Sequence, residues 1–540
     1  MAYNSDNIVI VGGGSSGWMV ASTLIRYFPN KNITVIESPD IKTIGVGEST
    51  TAFMKNFLNS HLGIKDEEFI PETDGIFKMS VQFVDWYKKN DGGFHYPFGG
   101  AFFPDKNIFL QSWALKKYYF PDTDVRNFAE SYIPAMALID QNKMSKNEDG
   151  MFDNFNFYTD LGYHFSADKF GKFLREKYAK PRGVKHIEAK VLKVNENEYG
   201  VESLVLDNGQ TVSYDLYIDC SGFRSILLGQ VMKPKWISFE NELFNNAAWA
   251  VPTPYRNKDV EMRAFTNSTA LKNGWCWHTP VWSRVGNGYT YSNNHIDKDG
   301  ALLEFKEYLM SNKVPIPFTK DEVEDLPFFH VESKAGHYDR LWVKNVVGIG
   351  LSSGFLEPLE GTGLWFVHDA ALLLSRLLQR EKLTNYTIDM FNLKQYADYE
   401  GWKDFIGLFY YMSIRDDSQY WRDITSVEKF DEIKHYSINS MGNYQRYMLA
   451  LHSDSTSGSL KYYDGLHYMA NGMRASLDLD DVIRDKVDFF DPSKRNNEYE
   501  IAKWVKELQD KYVDKWKQAA YLEPTVYQFM KDNYYAGIGD

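Results

Sequence analysis

Apolar and polar positions change period twice within the N-terminal segment. NIVIV, from Asn7, is an uninterrupted apolar run of strand length; SSGWMVASTLIRYF, after the glycines, repeats its apolar positions at helical spacing; NITVIES is a second short run that ends in an acid. A strand, a glycine-rich turn, a helix and a further strand form the opening unit of a doubly wound parallel sheet. From Gly183 to Gly222 the chain alternates and carries turn signals at NENEYG and DNGQ, which predicts hairpins before YDLYIDCSG returns to the main sheet. WVKNVVGIG, residues 342–350, predicts one more buried strand, and GTGLWFVHDAALLLSRLLQR the helix behind it. Far downstream, EIAKWVKELQDKYVDKWKQ spaces its apolar residues about 3.6 apart, the period of an amphipathic helix.

These elements predict an α/β protein. A doubly wound, Rossmann-like nucleotide domain would be assembled from residues 1–110, 160–235 and 335–395, with an inserted mixed-sheet substrate region at 111–159 and 236–334 and a mainly helical C-terminal region at 396–540. A chain of 540 residues, 44 % apolar and 25 % charged, can bury such a core and falls outside the disordered, collagen-like and coiled-coil classes. Aromatics at 16 % suit an aromatic-lined pocket and large core residues equally. A net charge of -13 repels a phosphate backbone, so no nucleic-acid partner is expected. Cys220 and Cys276 are too few for a disulfide scaffold, and the 12 histidines include no HExxH, so no metal site is expected. MAYNSDNIVIV runs into a strand without a basic and apolar leader, and no uncharged apolar run reaches about 18 residues; no membrane association is expected, and the cytoplasm is the expected location.

Gly12, Gly14 and Gly17 form GxGxxG between strand and helix, with Ser15 opening the helix. The first glycine permits the tight turn, the second lets a pyrophosphate approach the backbone, and the third lets helix and strand pack closely. Glu37 follows Gly14 by 23 residues, at the end of the next strand, where a carboxylate can hold a ribose diol and disfavours a 2′-phosphate. The motif alone does not separate FAD from NAD. Asp219, Gly222 and Arg224 after one later strand, and the glycines around Gly350 after another, offer contacts at the far end of a cleft, as a long flavin cofactor requires. There is no second well-placed GxGxxG for NAD(P)H, so electrons would arrive from elsewhere.

Together with IGVGESTT at 44–51, FKMSVQFVDW at 77–86, YPFG at 96–99, DLYIDCSGFRS at 215–225, WCWHTP at 275–280 and GFLEPLEGTG at 354–363, the chain resembles the flavin-dependent halogenase family, its tryptophan-halogenase-like branch. The resemblance implies reduced FAD supplied by a separate NAD(P)H-dependent flavin reductase, a halide co-substrate (chloride, bromide or iodide), and hypohalous acid that halogenates an electron-rich, indole- or phenol-like ring. It implies Lys78 as the residue that holds the hypohalous acid or becomes a haloamine, and Glu360 as the acid that polarises the oxidant and takes the ring proton. Thr362 and Gly363 match the halide-binding amides, and Glu357 matches no catalytic position. Gly45, Gly47 and Glu48 match a flavin-contacting strap, joined in cofactor binding by Gly12, Gly14, Ser15, Gly17, Glu37 and Gly350. Trp275 and Trp277 match a wall of the tunnel, with Tyr96 and Phe98 lining the pocket; by spacing alone the tryptophans are equally two core aromatics on one strand face.

Three departures stand out. Thr279 replaces the isoleucine of WxWxIP, Gly361 replaces a serine and is expected to loosen the backbone beside Glu360, and Tyr96 stands where tryptophan-specific members have histidine. The last puts free tryptophan in doubt. An oxygen-inserting flavin monooxygenase and a non-catalytic flavin-binding protein remain rival readings, and a homo-oligomer is left open.

Overall fold

The computed structural model describes residues 5–40, 45, 47–100, 113, 115–380, 382–427, 468, 469, 471–474 and 498–537. Most of the C-terminal span expected to be helical between 428 and 497 lies outside these residues, as does 101–112 at the join of the first two expected segments.

A six-stranded sheet runs in the order Trp342–Val343, Val346–Gly348, Leu216–Asp219, Asn7–Val11, Asn32–Glu37, Lys185–Glu188. Its strands are parallel except at the Trp342 edge. Asn7–Val11 takes the centre because Ile8, Val9 and Ile10 are fully buried and need cover on both faces. The register pairs Val11 with Asp219 and Ile36, and Asp219 with Gly348, so the glycine turn, Glu37, the Asp219 loop and the Gly350 turn all leave the sheet at one carboxyl edge. Helix Ser15–Tyr27 packs against helix Thr362–Leu378.

Two local expectations change. WVKNVVGIG is a tight hairpin, not one strand: Lys344 turns the chain at φ 53°, and the two halves pair antiparallel. Asn345 pins that turn to the neighbouring hairpin, accepting from the Val201 N–H at 2.9 Å and donating to the Val201 carbonyl at 2.8 Å. The polar Lys-Asn pair inside an apolar run was the signal. The expected hairpins themselves form a separate three-stranded sheet, Val191–Asn197, Gly200–Leu206 and Thr211–Val212.

A seven-stranded sheet runs in the order Phe329–Glu332, Ala247–Thr253, Val285–Tyr291, Gly274–Pro280, Phe265–Ala270, Ser80–Val84, Gly93–Pro97. Ser80–Val84 and Gly93–Pro97, expected within the nucleotide segment 1–110, belong instead to this sheet, because Ser80–Val84 pairs in parallel with Phe265–Ala270. A small sheet of Glu48–Ser49, Gly162–Phe165 and Ile76–Lys78 adjoins it. Met79 is the single residue between Lys78 and Ser80; its N–H donates to the Ala264 carbonyl at 2.6 Å and its carbonyl accepts from the Phe98 N–H at 2.7 Å. The chain therefore passes from one sheet to the other at Met79. Helices Asn385–Tyr411, Gln419–Ile424, Glu498–Leu522 and Val526–Asn533 follow.

Candidate functional site

The carboxyl edge of the six-stranded sheet is built for close backbone approach. Gly12 sits at φ 116°, and a Cβ there would run into the Cys220 carbonyl; a Cβ on Gly17 would run into the Gly12 carbonyl. Gly14, by contrast, faces open space, as a position beside a pyrophosphate must. Gly13 is a further requirement that spacing alone did not reveal: the Glu37 side chain occupies the place of its Cβ. Helix Ser15–Tyr27 starts without a side-chain cap, the arrangement that favours a phosphate. The Ser15 hydroxyl itself is committed to the Ala167 carbonyl at 3.0 Å, leaving its backbone as the part that can serve a ligand.

Glu37 is partly exposed, and its Oε2 lies 3.1 Å from Arg175 Nη1 and 3.0 Å from His186 Nε2. Across the cleft Gly350, at φ 79°, allows the late turn to close onto Ser16, whose hydroxyl a Cβ would approach to 2.6 Å. Asp219 points into its own loop, accepting from the N–H groups of Ser221, Leu227 and Leu228 at 3.0, 2.7 and 2.8 Å, so it shapes the turn and does not face a ligand. An uncapped helix start beside an open glycine, with a carboxylate at the end of the next strand, is a donor set that fits a dinucleotide such as FAD.

Lys78 and Glu360 come together from opposite ends of the fold. Lys78 is fully buried; its Nζ donates to the Thr50 carbonyl at 3.0 Å and stands 5.0 Å over the Phe98 ring. Burial lowers the amine to about 8, with Glu360 opposing the shift. Burial raises the Glu360 carboxyl to about 7, with Lys78 opposing. Its Oε1 is buried with no hydrogen-bond partner among the described residues. Glu360 adopts φ 63°, an uncommon conformation for a residue with a side chain, and the next residue, Gly361, adopts φ 66°.

The expectation that Gly361 loosens this turn does not hold. A Cβ there would stand 2.5 Å from the Ser49 carbonyl, so glycine lets the strap press directly on the turn. Helix Thr362–Leu378 then begins without a side-chain cap. Thr362 is buried with its hydroxyl 3.4 Å from the Glu357 carbonyl, and Gly363 faces open space. A helix start of this kind suits a small anion. Glu357 is buried and used internally: it accepts from Tyr410 Oη at 2.7 Å and from Asn245 Nδ2 at 2.8 Å.

On the strap, Gly45 is exposed and Gly47, at φ 142°, lies against Thr279 and Val281; Val46 lies outside the described residues. Glu48 is half-buried, and desolvation raises its carboxyl to about 7. Trp275 and Trp277 share a strand face, edge to face at 6.2 Å. Trp275 is fully buried, while half-buried Trp277 lies where a Cβ on Gly288 would be. Tyr96 stacks on Tyr468 at 5.7 Å and meets Phe98 edge-on at 6.4 Å. His95, one step along the same strand, points to the other face and hydrogen-bonds Ser80 Oγ at 3.0 Å. It does not replace the histidine missing at position 96.

Near Lys78 the strap marked in the sequence contributes the Thr50 carbonyl and Ser49, and two residues that the sequence reading missed, Thr266 and His164, join them. His164 Nε2 lies 2.8 Å from Thr266 Oγ1, which lies 2.7 Å from Ser49 Oγ. The one local signal was a histidine in the otherwise apolar run GYHF, which the fold buries completely.

This geometry agrees with what the chain is similar to. A family profile described as tryptophan halogenase matches residues 7–455. The tryptophan 6-halogenase ThaL of Streptomyces albogriseolus is 31 % identical over 442 residues, covering 79 % of this chain and 80 % of its own. The tryptophan 7-halogenase RebH of Lentzea aerocolonigenes is 31 % identical over 436 residues, covering 78 % and 79 %. Among solved structures, apo VirX1 superposes with a TM-score of 0.83 at 32 % identity, covering 99 % of both chains. The chain belongs to the tryptophan halogenase family.

Proposed function

We propose that this chain is a two-component halogenase that uses reduced FAD, delivered by a separate NAD(P)H-dependent reductase, to halogenate an electron-rich indole- or phenol-like ring. The observation that carries the reading is the buried Lys78–Glu360 pair: an amine brought down toward neutrality is coupled to a carboxyl brought up toward it, both side chains shielded from solvent. Bound reduced FAD supplies the oxygen activation that oxidises a halide to hypohalous acid. The glycine turn at Gly12, Gly14 and Gly17, with the Ser15 backbone, holds the pyrophosphate; Glu37 holds the ribose; Gly45, Gly47, Glu48 and Gly350 border the rest of the cofactor. The Thr362 and Gly363 amides hold halide at the helix start.

Lys78 then holds the hypohalous acid by hydrogen bond or as a haloamine, anchored on the Thr50 carbonyl. Glu360, ionised above about 7, takes the proton that the ring must shed. Trp275 and Trp277 separate the ring from the cofactor, and Tyr96 and Phe98 stack against it. Tyr96 in the place of histidine favours an acceptor other than free tryptophan. The cytoplasm is the proposed setting, in keeping with two unpaired, buried cysteines.

The test supplies purified protein with FAD, a flavin reductase, equal chloride, bromide and iodide, and a panel of indoles and phenols, read by mass spectrometry. A halogenated product that is absent with Lys78→Ala is expected. Halide-independent hydroxylation would overturn the reading in favour of oxygen insertion, and FAD binding without any product would favour a non-catalytic protein.

A further inference from the structure

The small sheet puts Ser49, His164 and Lys78 on one face. Ser49 and Ile76 are both register partners of His164, and Lys78 lies two residues beyond Ile76 on the same strand. Thr266 reaches this face from the seven-stranded sheet and closes the chain of contacts His164 Nε2 to Thr266 Oγ1 at 2.8 Å and Thr266 Oγ1 to Ser49 Oγ at 2.7 Å. Burial, helped by the Lys78 charge, holds the His164 ring well below its ordinary titration range, so it stays neutral. A backbone hydrogen bond at Pro280 also engages the ring.

The Thr50 carbonyl holds the Lys78 side chain, accepting from Nζ at 3.0 Å, and the Ser49 carbonyl lies against Gly361 in the turn that carries Glu360. Thr50 is tied to the Tyr163 backbone by its N–H and its hydroxyl, each at 3.0 Å from the Tyr163 carbonyl. On the Ser49 side, the strand pairing with His164 is joined by the side-chain chain through Thr266 to the same histidine. An error there would be passed to both carbonyls at once.

We propose that His164, Thr266 and Ser49 act as one positioning unit, whose hydrogen-bond chain sets the Ser49–Thr50 segment, and so the placement of Lys78 against Glu360, such that oxidant held at Lys78 meets the ring before it escapes. This rests on the halogenase reading above. None of the three residues touches the ring or the oxidant, so their loss shows as poor coupling and not as lost oxidant formation.

The full-length protein is assayed with FAD, reductase and bromide, with indole or phenol as acceptor and taurine as trap for released hypobromous acid. Thr266→Val should lower brominated product per FAD reduced about tenfold and shift the balance to the trap, with FAD affinity unchanged. Thr266→Ser, which keeps the hydroxyl, should restore coupling to within about twofold of wild type. Ser49→Ala should match Thr266→Val, and the double variant should be no worse than either, because the three act as a unit. The pH profile should keep its shape, since no charge is removed. Because His164→Leu can fail to fold, the Thr266 pair decides. Unchanged coupling in Thr266→Val, equal failure of Thr266→Ser, additive losses, or a parallel fall in FAD affinity would each overturn the proposal. Wild-type protein that holds FAD but brominates neither acceptor would refute the halogenase reading first, and this inference with it.

Discussion

Glu360 combines two unfavourable features: a left-handed backbone at φ 63° and a carboxyl buried beside one amine. The folded protein keeps the Glu360 proton up to about 7, whereas an unfolded chain releases it near the ordinary glutamate value of 4.5. The folded state therefore binds the extra proton between those limits and loses relative stability as pH rises through them. Glu360→Gln should slow halogenation by about a hundredfold or more yet raise stability at pH 8 by about 1 kcal/mol, with the gain fading toward pH 4.5; product rates and denaturant midpoints at the two pH values check this. In the wild type, the halogenation rate should fall as pH drops below about 7, because a protonated Glu360 cannot accept the ring proton; the residual rate of Glu360→Gln should lack that limb.

Gly361 gives the complementary case. A side chain there meets the Ser49 carbonyl in a left-handed backbone, so Gly361→Ser should destabilise by about 2 kcal/mol and impair coupling, read by thermal midpoint and product yield. If serine were tolerated without either effect, the close seating of strap on turn would not matter.

At the scale of elements, what could be read from the chain was what local backbone dictates. Gly12, Gly14 and Gly17 announce a turn because their roles depend on neighbours a few residues away, and the structure gives them a positive φ, an open side and a tight helix contact respectively. The Lys344-Asn345 turn had a local signal in its polar pair, but its anchor on Val201, 144 residues away, had none. The pairing of Ser80–Val84 with Phe265–Ala270 was not legible for a similar reason: a strand does not carry the name of its partner. Lys78 and Glu360 became legible only through resemblance, since each alone has the composition of a surface lysine or a helix-start acid. The His164, Thr266 and Ser49 chain was invisible because its two links join residues 102 and 217 positions apart. Gly288 makes a test at this scale. Its missing side chain is where the Trp277 indole lies, so Gly288→Ala should displace that ring and lower stability by about 1–3 kcal/mol, visible as an altered tryptophan emission and an earlier denaturant midpoint.

Over the whole molecule, the proposed cofactor contacts run from Gly12 to Gly350 and draw on segments that are remote in sequence. A ligand held at so many places should bind the folded state and not the unfolded chain. Thermal midpoint should then rise with FAD concentration, by the equivalent of about 2.7 kcal/mol at a hundred times the dissociation constant. Glu37→Ala should reduce that rise at a fixed FAD concentration by weakening the ribose end; an undiminished rise would place Glu37 outside the site, occupied only with Arg175 and His186.

The passage at Met79 has a consequence for how such a protein can diversify. Lys78 ends a strand of the small sheet, and Ser80 begins a strand of the sheet that carries the aromatic wall. With its two backbone bonds to Ala264 and Phe98, Met79 rivets the two sheets together, which on the proposed reading joins an oxidant-handling half to an acceptor-handling half. Residues on the acceptor half can be exchanged, by natural drift or in a combinatorial library, while the lysine keeps its station. New ring systems should therefore be won most readily from changes on the Gly93–Pro97 and Gly274–Pro280 strands, with the chemistry of halide oxidation inherited intact.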